Sequence, residues 1–396
     1  MTAPIPDPEL ITKCWQDYDY VALLLQGGGA LGSYQAGVYE ALHEAGIAPN
    51  WLAGISIGAI NGALIAGNPP EKRVERLWEF WEMISNPNGV PYLGEISLAL
   101  GRMIDQLNLR ALASMTSAAH SLFLGQMGFF TPRVPPPQFR PQGAPGADSF
   151  YDTEPLRHAL NALVDFDLLN NGPMRISVGM VDVESGNFRF FDSGKAGDQR
   201  MGPEHIMASS ALPPAFPPVK IGDRYYWDGG IISNTPLEYL LDQQPRRDTL
   251  AFQVDLWSAR GELPKDIMSV LEREKEIRYS SRTRHGTDRF AGHEQIRQLL
   301  AKLLDRLPAE LRSHPDVCAL LPQACHKVIN VIHLIYQSKA YELHSKDYEF
   351  SHITMREHWQ AGYEDTRRSL AEPSFLERPA VGMGVVTHDI HRSSRK

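Results

Sequence analysis

Two glycine-framed stretches near the start of the chain could do chemistry together. In Gly54-Ile55-Ser56-Ile57-Gly58 a serine sits between two glycines. A serine hydroxyl is a weak nucleophile at neutral pH, so it needs a general base within hydrogen-bond reach and donors aimed at the developing oxyanion. A strand-to-helix elbow holds such a serine in strained backbone geometry, and residues at the positions of Gly54 and Gly58 must lack side chains to avoid clashing. Ile57 then opens a helix, with its N–H free to point at an oxyanion. The second stretch, Gly27-Gly28-Gly29-Ala30-Leu31-Gly32, reads as consecutive backbone N–H groups at a helix start, suited to a negative charge. The pair predicts serine-based acyl transfer, with nucleophile and oxyanion site both drawn from the first 60 residues.

The same cluster also fits G-x-G-x-x-G, the dinucleotide-binding turn. That reading requires an acidic residue about 20 residues on, at the end of the second strand. Positions 48–53 read Ala-Pro-Asn-Trp-Leu-Ala, with no carboxylate. An anion-stabilising turn fits better, with a purely structural tight turn as the alternative. For the base, none of the fourteen histidines lies in a glycine-framed turn. Asp228 does: it ends the aromatic stretch Tyr225-Tyr226-Trp227 and is followed by Gly229 and Gly230. A carboxylate there can accept the serine proton directly.

These residues must be positioned by regular elements. Tyr20–Leu25 is an apolar run of strand length. Helix-period residues Val38, Leu42 and Ala45 follow the glycine cluster, and Gly46 stops that helix. A short strand, Trp51–Ala53, leads into the elbow, and Ala59–Ala66 is helix-forming. Such alternation predicts a parallel sheet covered by helices. A helix is expected over Glu71–Ile84. Leu98–Phe130 is rich in Leu, Met and Phe, and is read either as a lid or interfacial segment or as an ordinary core helix pair. Pro132–Pro145 reads as a loop. Further helices are expected near 154–164 and 204–210, and strands over 174–182, 186–191, 225–227 and 250–256. Beyond Pro264 the chain reads as mostly helical and charged, interrupted by a strand at Val328–Ile335, and its last ~15 residues as a polar tail. The charges of Glu272–Arg284 fit a solvated helix face, with Arg278, Arg282 and Arg284 as an alternative contact for anionic lipid.

Composition narrows the partners. The 396 residues carry a net charge of −8, which argues against nucleic acid as the main partner. The hydrophobic share of 43% and charged share of 22% are those of a globular protein. Cys14, Cys318 and Cys325 form neither a disulfide framework nor a C-x-x-C metal pattern. Met1–Leu10 holds three prolines, two acids and no basic residue, unlike a signal peptide. No apolar run reaches ~18 residues. A cytoplasmic protein is expected, with peripheral contact at a membrane or lipid surface left open.

As a set, Gly27–Gly32, Gly54–Gly58 and Asp228-Gly229-Gly230 resemble the three signature blocks of the patatin-like phospholipase family. The intervening Ala208-Ser209-Ser210-Ala211, Phe216-Pro217-Pro218 and Asn234-Thr235-Pro236-Leu237 fit as well. The resemblance covers roughly residues 18–260. It implies a three-layer α/β/α fold around a mainly parallel sheet, and lipid acyl hydrolysis by a Ser–Asp dyad without a metal or other cofactor. Ser56 becomes the nucleophile, Asp228 the base, and Gly28 and Gly29 oxyanion donors beside Ile57. Leu31 departs from the Arg or Lys many members carry there, which removes a cation but no backbone donor. The expected organisation is an N-terminal segment (1–17), a catalytic domain (18–260) with an insertion at 98–145, and a mostly helical extension with a polar tail (261–396). The extension resembles that of a bacterial subfamily. The expected substrate is a phospholipid, lysophospholipid or acylglycerol. The alternatives are another insoluble ester such as a storage polyester, or a non-catalytic membrane- or granule-associated protein, which the full set of catalytic positions disfavours.

Overall fold

A computed structural model describes residues 8–86, 110–194, 200–280, 283–339, 342, 344–380 and 383–393. Residues 98–109 of the apolar segment and Arg282 therefore lie outside the described residues. The central sheet is built on β1 (Tyr20–Leu25), β2 (Trp51–Ile55), β5 (Arg175–Asp182), β9 (Thr249–Asp255), β10 (Ile329–Ile335) and β11 (Val385–Asp389). These run parallel in the order β11-β10-β9-β1-β2-β5. Antiparallel strands β6 (Phe188–Asp192), β7 (Val219–Ile221) and β8 (Arg224–Asp228) complete it, while β3 (Thr131–Pro132) and β4 (Tyr151–Asp152) form a separate ribbon. The short apolar runs form buried parallel strands because helices cover both faces. Val385–Asp389, read from the sequence as part of a polar tail, instead pairs along β10 as the edge strand.

β1 alternates between two cores. Val21, Leu23 and Leu25 join the larger cluster beneath helices α1 (Ser33–Glu44), α2 (Ile57–Ala66) and α3 (Arg73–Ser85). Ala22 and Leu24 join a smaller one with Leu237, Leu240 and Leu241 on the opposite face. This is the three-layer α/β/α arrangement. The long helix of the C-terminal part, His352–Leu370, lies directly on α1. A Cβ on Gly362 would come within 2.0 Å of the Tyr34 carbonyl oxygen, and one on Gly37 within 1.9 Å of the Trp359 carbonyl oxygen. Two glycines thus let the backbones touch.

The described part of the stretch expected as an insertion divides in two. α4 (Arg110–Leu124) leaves Phe123 76% and Leu124 66% exposed, with Leu112 and Met115 exposed on the same helix. Phe129 and Phe130 instead pack into the main core, with Phe216 and Phe350 around them.

Candidate active site

Strand register brings the chemistry together. Leu25 pairs with Gly54, so the glycine turn after β1 and the elbow after β2 leave neighbouring strands at matched height. On β5, Gly179 pairs with Ile55 of β2, and the next residue, Met180, pairs with Asp228 of β8. β6 spans Ser177–Val181 of the same strand, so it occupies the other edge. β2 and β8 therefore meet end to end on one edge of β5. Ser56 follows the last residue of β2, and Asp228 is the last of β8.

Ser56 has φ +57° and ψ −126°, the one positive φ outside glycine among the described residues. A β-turning residue with a Cβ pays in strain for that conformation, and such outliers persist where the surroundings over-determine them. The surroundings are glycines. A Cβ on Gly54 would lie 2.4 Å from the Gly58 carbonyl oxygen, and one on Gly58 would lie 2.2 Å from the Leu25 carbonyl oxygen. Gly32 makes room for Ile57, whose Cγ1 lies 2.4 Å from where a Cβ would stand. Gly27 faces the serine: its added Cβ would be 3.0 Å from Ser56 Cβ.

The Ser56 side chain stands beside the Asp228 carboxyl and favours its charged form. Asp228 Oδ1 also accepts the Gly230 N–H at 2.7 Å, which the glycine turn makes possible. Gly229 lies against the Gly179 carbonyl, 2.8 Å from its own missing Cβ. Burial pushes the Asp228 carboxyl up from 3.8 to about 7, while the bonds from Ser56 and Gly230 pull it back down. A carboxylate so placed is poised to exchange protons near neutrality. No histidine among the described residues bonds to either side chain. Among those residues, too, no cluster of three or more His, Cys, Asp or Glu is suited to a metal.

The glycine turn supplies donors. No acceptor among the described residues takes the N–H of Gly28, Gly29 or Ile57. Ile57 is the first residue of α2, where the helix leaves its opening N–H groups unpaired and the dipole favours an anion. Gly29 holds φ +55°. All the residues predicted for the site thus gather at the carboxyl ends of β1, β2 and β8.

Further residues hold the site and escaped the sequence reading. Ser209 Oγ accepts the Ser56 N–H at 3.0 Å and donates to the Gly179 carbonyl at 2.7 Å. Ser210 Oγ donates to the Ser56 carbonyl at 3.2 Å. The Ser56 backbone is therefore gripped on both sides by two buried serines. Asn234 Nδ2 and Trp257 Nε1 both donate to the Gly27 carbonyl, at 3.0 and 2.9 Å. Ser209, Ser210 and Asn234 lie within the sequence blocks already singled out, and that proximity was their available signal; Trp257 had none.

A family model described as patatin-like phospholipase matches residues 23–241, more than half of the chain, and one described as patatin phospholipase matches 277–381. The chain belongs to the patatin-like phospholipase family. Local similarity extends to lysophospholipase nte1 of Aspergillus terreus (strain NIH 2624 / FGSC A1156), 59% identical over 46 residues, which are 12% of this chain and 3% of that protein. Neuropathy target esterase sws of Drosophila melanogaster is 44% identical over 50 residues, 13% of this chain and 4% of that one. The patatin-like chain thus spans only a few per cent of the length of these relatives. The crystal structure of VipD from Legionella pneumophila aligns with 89% of this chain and 67% of its own, at 13% identity and a TM-score of 0.38.

Proposed function

We propose that this chain is a serine acyl hydrolase that cleaves lipid acyl esters through a Ser56–Asp228 dyad and an acyl-enzyme. The observation that carries this is the strained Ser56 set beside the buried Asp228 carboxyl, next to a turn whose N–H groups find no acceptor among the described residues. Ionised Asp228 accepts the Ser56 proton as Oγ attacks the ester carbonyl. The N–H groups of Gly28, Gly29 and Ile57 take the oxyanion, and the protonated Asp228 returns its proton to the departing alcohol. A water, deprotonated by Asp228, then attacks the acyl-enzyme and frees the fatty acid. Loss of one oxyanion donor typically costs ~10²–10³ in rate.

The substrate class is a lipid ester, a phospholipid, lysophospholipid or acylglycerol. The local matches to a lysophospholipase and an esterase support it. No helix of the described residues is long and apolar enough to cross a membrane. The exposed apolar face of α4 supports contact with a lipid surface from one side.

The test is covalent labelling with a fluorophosphonate, alongside hydrolysis of a short-chain p-nitrophenyl ester. Ser56→Ala is expected to abolish labelling and to lower kcat by about 10⁴-fold or more. Full ester hydrolysis by Ser56→Ala would sink the proposal. A panel of glycerophospholipids, lysophospholipids, acylglycerols and polyester oligomers then identifies the substrate.

A further inference from the structure

The charge run near Glu272–Arg284 is more than a solvated face. Its helix, Ile267–Tyr279, ends beside the glycine turn. The Tyr279 carbonyl accepts both Gln26 Nε2 (3.2 Å) and Asn234 Nδ2 (3.0 Å). From further along the chain, the loop containing Asp347 approaches the same turn from outside. The Asp347 carbonyl accepts the Ala30 N–H at 2.8 Å, and it stands 2.1 Å from where a Gly29 Cβ would be. Asp347, which touches the turn, and Tyr279, which holds its neighbours Gln26 and Asn234, both lie within the second family segment.

Two crossed ion pairs fasten helix to loop. Lys275 of the helix donates to Asp347 Oδ1 of the loop at 2.5 Å. Lys346 of the loop, only 2% exposed, donates to Glu276 at 2.7 Å and Glu272 at 3.1 Å of the helix, and to Ser338. A lysine that deeply buried is tolerated only when it is paired and hydrogen-bonded. Both ammonium groups also lie over the Trp257 ring, at 5.8 and 5.5 Å. Trp257 in turn donates to the Gly27 carbonyl.

We infer that Tyr279 and Asp347 are positioning residues for the oxyanion turn, acting through their carbonyls. The Lys275–Asp347 and Lys346–Glu276 pairs keep those carbonyls in place. This inference rests on the reading of Ser56 as the nucleophile. Among the described residues, the chain beyond residue 260 reaches the site at this turn. Its donors act on the oxyanion only if they are fixed before the reaction, and misplacement by about 1 Å can cost ~10²-fold.

The Lys275–Asp347 pair lies nearer solvent than Lys346 and tests the idea with less risk to folding. The full chain is compared with Asp347→Ala, Lys275→Met and the conservative Asp347→Glu. Turnover of a soluble short-chain ester is normalised to the sites that fluorophosphonate titrates, and amide hydrogen exchange is followed at Gly28–Leu31. Asp347→Ala and Lys275→Met are expected to lower kcat per titrated site by about 10- to 10²-fold with KM within about twofold, and to speed exchange at the turn. Asp347→Glu is expected to recover most of the loss. An unchanged kcat per titrated site, with only Tm lowered, would overturn the positioning role. Unchanged exchange at the turn would overturn it as well. A wild type that neither labels at Ser56 nor cleaves any ester removes the hydrolase reading and the catalytic meaning of the brace with it. Faster exchange in the variants would then mark a structural brace alone, which keeps the two failures apart.

Discussion

Two glycine turns flank the Ser56 hydroxyl, and different parts of the chain dictate them. At the elbow, the atoms that forbid side chains at Gly54 and Gly58 belong to Gly58, Ala59 and Leu25, all within the first 60 residues. At the glycine turn after β1, the atoms nearest to Gly27, Gly28 and Gly29 belong to Asn234, Leu256 and Asp347. The steric demands of the elbow are therefore met within one short stretch, whereas the glycine turn beside it is shaped by closure of the whole fold. A local motif can be copied between proteins as a unit. A turn braced from three distant segments works only in a chain that supplies all of them.

Asp228 offers the sharpest way to break this comparison, because it reaches the local elbow from far along the chain. Asp228→Asn is expected to lower kcat by about 10³-fold or more, since the serine then has no base. In the wild type, kcat/KM should fall about tenfold per pH unit below 7 and level off above it, because the base acts only when ionised and burial holds its carboxyl at about 7. Stability should move the other way. The folded value lies above the ordinary 3.8, so the neutral carboxyl contributes stability that is complete below about 3.8 and is lost as pH rises through about 7. Asp228→Asn should therefore gain progressively on the wild type as pH rises between those values in urea titrations, and keep an advantage of up to about 4 kcal/mol above about pH 7. A flat kcat/KM from pH 5 to 8 would remove Asp228 as the base.

The two turns can next be set against each other directly. Gly54→Ala drives a side chain into the elbow's own backbone, which has nowhere to go, so stability and activity should fall together, by about 1–3 kcal/mol or more. Gly29→Ala meets the Asp347 carbonyl, a backbone atom of the braced loop from far along the chain, at φ +55°. It should cost about 1–2 kcal/mol of stability yet lower kcat about 10²-fold, as a lost oxyanion donor does. Combined with Asp347→Ala, its effect on kcat should be well short of additive, since both displace the same turn. Additive losses would mean that the loop acts elsewhere.

Much of this was legible in the sequence, and the limits have a physical cause. The strand–turn–helix order around Ser56 shows in apolar runs and glycines because each element is local. Asp228 could be picked out by its own two glycines. That Asp228 reaches Ser56 depends on β2 and β8 abutting along β5, a register no residue pattern announces. Glu276 read as part of a solvated face because charge alone does not reveal a partner 70 residues away. Val385–Asp389 escaped notice because an edge strand paired on one side needs little hydrophobic alternation.

Ser209 extends the comparison to the clamp that holds the elbow. Ser209→Ala leaves the Ser56 N–H without an acceptor in a buried site, which should cost about 1–3 kcal/mol. Because the serine backbone loses one of its two grips, kcat on a soluble ester should fall about tenfold. Ser210→Ala removes only a donor to a carbonyl and should do less. Equal effects of the two would mean that the clamp stabilises without aligning.

The smallest expected effect separates the chemistry from the surface that delivers the substrate. Phe123 and Leu124 end α4 with most of their area in solvent, whereas Phe129 and Phe130 a few residues on are core. If the helix meets lipid, the double variant Phe123→Ser/Leu124→Ser loses apolar area that is buried only at the interface. Activity on phospholipid vesicles should then drop about threefold to tenfold, while hydrolysis of a soluble ester and Tm stay unchanged, because neither side chain supports the sheet or the dyad. Equal losses on both substrates would make α4 part of the fold alone. A loss confined to vesicles would place substrate capture on a surface that neither turn touches, so that the elbow, the braced oxyanion turn and the lipid contact could each be altered without the others.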